Sequence, residues 1–185
     1  MYNIKDFQSF LDNISEAFDS FEEITFKTKN NDLWDGVFNV SGEEWNLIIR
    51  KIIDNNINST DEIYTIKFNV LKNNISVYSV DKKDKIYDMK KTIKVLSTIK
   101  KYTVEFMESV NPKILFFYCS DNDKSREQIY LNFSNDLIKN SSYDLFHYQN
   151  FDRPLFIIYT PMANLKKLEN IILKAIDYLN STTIN

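Results

Sequence analysis

The densest run of chemistry-bearing side chains in this 185-residue chain is Asp121, Asp123, Ser125, Arg126 and Tyr130, which directly follows an apolar stretch from Ile114 to Cys119. A short apolar run that ends in a polar turn reads as a strand covered on both faces, delivering its last residues to the start of a helix. Open α/β sheets place ligand sites at such strand ends. Two readings follow. Asp121 and Asp123 could hold Mg²⁺ while the helix start, with Ser125 and Arg126, holds an anion. Alternatively, the aspartates cap the helix and oppose its dipole while Arg126 pairs with one of them, and two carboxylates two residues apart point more to capping than to metal.

The remaining reactive residues are few. Cys119 and His147 are the only cysteine and the only histidine, so a tetrahedral nitrogen/sulfur zinc site within one chain is excluded. Cys119 with Arg126 resembles a thiolate phosphatase loop, but the spacing is one residue too long and the loop lacks a glycine to turn its amides inward. A buried strand cysteine fits better. A haloacid-dehalogenase-type aspartate pair is also displaced, because Cys119 and Ser120 separate the strand from Asp121. His147 falls in alternating strand sequence with Tyr143, Leu145 and Gln149, as expected of a sheet-surface histidine. Trp34 and Trp45 flank a glycine-containing turn and read as a cross-strand packing pair.

The elements that must position these residues follow from the change of hydrophobic period. Residues 1–22 carry Ile4, Phe7, Leu11, Ile14 and Phe18 at helical spacing. Residues 23–80 alternate with period two in five segments, Glu23 to Lys29, Trp34 to Val40, Trp45 to Asp54, Glu62 to Val70 and Ile75 to Val80, which predicts an antiparallel meander. Residues 86–160 supply a long helix ended by Pro112, the buried strand, a second helix with Ile129, Tyr130, Phe133 and Leu137 inward, and a hairpin from Tyr143 to Thr160. Residues 161–185 carry an amphipathic helix with Leu165, Leu168, Ile172, Ala175 and Leu179 on one face. The reading is one α+β domain with a mixed, mainly antiparallel sheet of seven to eight strands and three to four helices.

Composition narrows the function classes. With 43% hydrophobic and 26% charged residues the chain has the makings of a folded core without metal or disulfide. A formal net charge of −3 offers no broad field for a nucleic-acid backbone. The apolar runs are strand-sized, far below the roughly 20 residues of a membrane span, and a basic, apolar leader is missing, so a cytoplasmic location is expected.

The order of meander, long helix, buried strand, helix and closing hairpin resembles the back half of the GCN5-related N-acetyltransferase fold. That resemblance implies a glycine-rich loop gripping coenzyme A before the long helix, and Tyr130 as a general acid. Here the loop reads VDKKDKIYDM, from Val80 to Met89, with no glycine. Residues 61–160 are also similar to small uncharacterised bacterial and phage domains, which share the Ser/Asp-rich turn and a helix with an arginine and a tyrosine like Ser125-Arg126 and Tyr130. The expectation is a non-catalytic binding protein with no cofactor, from a phage, mobile-element or defence locus. Its partner would be another protein or a second copy meeting the terminal hairpin and last helix. The rival is a degenerate acetyltransferase or Mg²⁺-dependent phosphate protein using the strand-end site.

Overall fold

The computed structural model describes residues 20–53, 62–72, 75–77, 89–118, 124–148 and 154–161. These form one mixed sheet packed by two helices, the α+β architecture expected. Of the helices expected over 1–22 and 161–185, residues 1–19 and 162–185 lie outside the described residues.

The meander forms as the alternation demands: β1 (Thr25–Lys29), β2 (Leu33–Val40), β3 (Glu43–Lys51), β4 (Ile63–Lys72) and β5 (Ile75–Val77) pair antiparallel in sequence. The β2–β3 turn has Ser41 and Gly42 at φ 53° and 80°, the paired left-handed conformation that matches strand twist in tight hairpins. Helix α1 (Met89–Val110) then crosses to β6 (Ile114–Tyr118), which lies parallel to β4. β6 takes the first part of the β4 edge and β5 the last. Helix α2 (Lys124–Ile138) precedes β7 (Asp144–Tyr148) and β8 (Leu155–Tyr159).

The path through the sheet is β1-β2-β3-β4-β6-β8-β7. This corrects one sequence expectation. The closing strand Arg153 to Thr160, nearly all apolar and without a lysine guard, reads from its residues as an unguarded edge, but β8 is inserted between β6 and β7, and β7 is the edge. Central placement explains why β8 reads LFIIY, with four of its five residues buried.

Both helices share one hydrophobic cluster with the sheet face carrying Trp34, Leu47, Ile49, Tyr64, Ile66, Leu115, Phe117, Phe156 and Ile158. The other face carries a separate cluster of Ile52, Ile63, Ile114, Phe116, Leu155 and Ile157. The tryptophans do not pair across strands, because the register sets Trp34 opposite Ile49 and Trp45 opposite Phe38. Trp34 packs on Phe26 and Phe106 instead.

The chain entering β1 is sewn to α1. The Glu22 amide donates to Thr98 Oγ1 at 2.9 Å, the Ile24 amide donates to the Tyr102 hydroxyl at 3.1 Å, and that hydroxyl donates to Glu23 at 2.7 Å. The donation holds the Glu23 carboxyl below its ordinary range, with Lys101 assisting. α1 closes on Asn111 at φ 51°, whose amide reaches the Met107 carbonyl at 3.0 Å, an asparagine C-cap. Tyr143 ties this corner to the start of β7, its hydroxyl donating to the Pro112 carbonyl at 2.9 Å.

Burial raises Tyr64, Tyr102 and Tyr143 above the ordinary tyrosine pKa; Asp32 and Glu62 add to the effect at Tyr64, and Glu62 at Tyr143. Each keeps its proton to higher pH folded than unfolded. Their stabilising effect is therefore complete below about pH 10 and is lost as pH rises through the folded values. Denaturant melts at rising alkaline pH should show stability falling above about pH 10, and Tyr143→Phe should flatten part of that fall. An unchanged slope in the variant would refute the role given to Tyr143.

Candidate functional site

β6, β8 and β7 lie side by side, and their register puts Phe117, Phe156 and His147 in one row across the sheet. Alternation directs all three to the helix side, since their neighbours Leu115, Ile158 and Leu145 belong to the helix-side cluster. The rings form a continuous stack. Phe117 lies on Phe156 at 5.1 Å and 15°, and His147 lies on the other flank of Phe156 at 4.6 Å and 3°.

α2 roofs this stack. Glu127 is in its first turn, where a carboxylate suits the helix dipole, and Tyr130 follows three residues later on the same helix flank. Tyr130 sets its ring edge-on to Phe156 at 6.2 Å, Phe117 at 5.9 Å and Phe68 at 5.7 Å. Glu127 brings Oε1 to 3.0 Å from His147 Nε2. That contact is out of line for a hydrogen bond, and Nε2 is sealed from solvent, so carboxylate and imidazole meet by packing. Their side chains are 12% and 22% exposed, which makes the pair a buttress between helix and edge strand.

Of the residues singled out in the sequence, Tyr130 is brought to this cluster. Ser125 and Arg126 occupy the first turn of α2 by backbone, and their side chains lie outside the described residues, as do Asp121, Asp123 and Cys119. His147 is not a surface residue of the sheet, because α2 covers the face it occupies. Sequence reasoning missed the Glu127–His147 pair. Its signal was the alternation that puts His147 on the same side as Leu145, together with the three-residue step from Glu127 to Tyr130.

The geometry can fix an imidazole beside a carboxylate under an aromatic roof. Among the described residues, no three His, Cys, Asp or Glu side chains gather as a metal would require, and no helix is long and apolar enough to cross a membrane. Compared with protein-family models, curated proteins and solved structures, the chain matches none.

Proposed function

We propose that this chain is a non-catalytic binding protein that engages a protein partner along β7, and that a second copy is the partner best suited to it. The observation carrying this reading is the contrast between the two sheet edges. β1 is guarded by a bulge between Phe26 and Thr28 and by Lys27, while Lys29 is held over the Phe26 and Trp34 rings and paired with Glu105. β7 pairs with β8 without a bulge, and beyond it no further strand pairs among the described residues. It also displays Phe146, 36% exposed and stacked on Tyr148. A flat edge with an exposed aromatic is a template for strand addition.

Two-fold antiparallel pairing centred on Phe146 would set the two phenylalanines together and keep the two Asp144 carboxylates apart. Light scattering over a range of concentrations should show a species of twice the 22.0 kDa chain mass, converted to monomer by Phe146→Lys. A monomer at every concentration would refute self-pairing.

A second reading has one observation in its favour. The parallel β4–β6 pair, with the closing strand inserted beside it, supports the acetyltransferase-like topology. The glycine-free stretch before α1 argues against a working coenzyme cradle. Calorimetry with acetyl-CoA should give no micromolar binding, and micromolar binding would favour the enzyme reading.

A further inference from the structure

The sheet has a second buried face that neither helix explains. Residues of α1 and α2 belong to the inner cluster, and the outer cluster takes none from either. A sheet face left open to water keeps its side chains wet. Yet Ile63, Ile114, Phe116, Leu155 and Ile157 on the outer face are at most 3% exposed, and Thr65, level with Phe116 in the parallel β4–β6 register, is 1% exposed. Among the described residues, those in or against this cluster are Ile52, directly after β3, and residues of β4, β6, β7 and β8. Strand neighbours shield one another from the side and not from above, so the cover comes from elsewhere in the chain. Its extent can be read along one row. Phe116, Ile157 and Phe146 face outward side by side on β6, β8 and β7, and their exposures are 1%, 1% and 36%. The cover lies over β6 and β8 and stops short of the β7 edge.

Sequence and connection single out one occupant. The stretches 54–61, 119–123 and 149–153 are short and mostly polar, and 78–88 is dominated by charge. Residues 1–19 lead into a chain bonded to α1 through the Glu22 and Ile24 amides, on the inner side and at the far end of the sheet path. Residues 162–185 follow β8 itself. The Thr160 amide donates to the Lys113 carbonyl at 3.1 Å, beside Ile114, and Pro161, with no amide to pair, ends the strand. Beyond it Leu165, Leu168, Ile172, Ala175 and Leu179 recur at helical spacing. The helix that this spacing predicts would run about 21 Å from Leu165 to Leu179. Along the sheet path the patch from β3 to β8 is about 14 Å wide, so the stripe is long enough to cross it.

We infer that residues 162–185 dock, through that apolar stripe, on the outer face of β4, β6 and β8 of their own chain. An apolar stripe then meets an apolar patch that it can span, and the β7 edge with Phe146 stays open. The inference stands apart from the pairing proposed at that edge, and neither requires the other.

The test is nuclear Overhauser spectroscopy on the methyl-labelled full chain. Contacts from the Leu168 and Ile172 methyls to those of Ile114, Leu155 and Ile157 are expected, and they should be absent from the interchain-filtered spectrum of an equimolar mixture of differently labelled chains. Ile172→Asp should shift the outer methyl signals of Ile114 and Ile157 and leave those of Ile49 and Ile66, on the inner face, in place. Contacts seen only between chains would mean that a second copy fills the face and would overturn the inference. So would the lack of any contact, or unmoved outer signals in a folded Ile172→Asp. Should that variant not fold, the contacts in the unaltered chain decide alone.

Discussion

Replacing Phe156 with Ala is expected to cost about 3–5 kcal/mol, the usual range for deleting a buried aromatic ring. Phe156 is fully buried on β8, between Phe117 of β6 and His147 of β7, with Tyr130 of α2 edge-on above it. Removing the ring loses its burial and opens a cavity that the rigid neighbours on either side cannot close. It also takes away the surface on which the imidazole lies, so His147 and Glu127 lose their fixed separation. Urea denaturation should show a lower midpoint with an unchanged slope. A loss below about 1 kcal/mol would mean that the three rings are not a packed unit.

Gly36→Ala is the second large effect, and its cause is space. Gly36 lies on β2 opposite Phe26 of β1. A Cβ there would stand 2.4 Å from Ile24 Cγ2, 2.9 Å from Phe26 Cδ1 and 3.1 Å from the Thr25 carbonyl oxygen. Ile24 and Phe26 can move only by leaving the α1 interface, and the Thr25 carbonyl belongs to backbone. The expected loss is about 1–3 kcal/mol, as for overpacking, with the β1 amides exchanging faster than those of β3. A neutral substitution would show that β1 is held more loosely than its contacts with α1 imply. By contrast, Gly42 has open space around it and a φ of 80°; there the glycine answers a backbone need.

The meander was legible from residue types because its strands each have one wet or half-wet face, and Tyr64, Ile66, Phe68 and Val70 alternate with polar residues. α1 was legible for a related reason, since Leu96, Thr103 and Phe106 fall on its buried face as their spacing requires. The place of β8 was not legible. Strand period reports which face is covered, whereas strand order is decided by which edge remains open once α1 and β6 have docked. An apolar strand such as LFIIY fits a covered centre as well as an unguarded edge. At the candidate site the parity of His147 was legible, but its neighbour was not, because Glu127 and His147 meet through tertiary packing. Tyr130 was identified by type and turned inward as expected, while the two aspartates fall outside the described residues.

The reading of β7 as the recognition edge rests on exposed backbone groups, so amide hydrogen exchange tests it most directly. Exchange should be followed along β1 and β7 in dilute and concentrated solutions of the full chain. The account predicts that protection of residues 144–148 rises with concentration while that of residues 25–29 stays constant, because only β7 gains a partner strand. Concentration-independent exchange along β7, or protection gained along β1 instead, would contradict it.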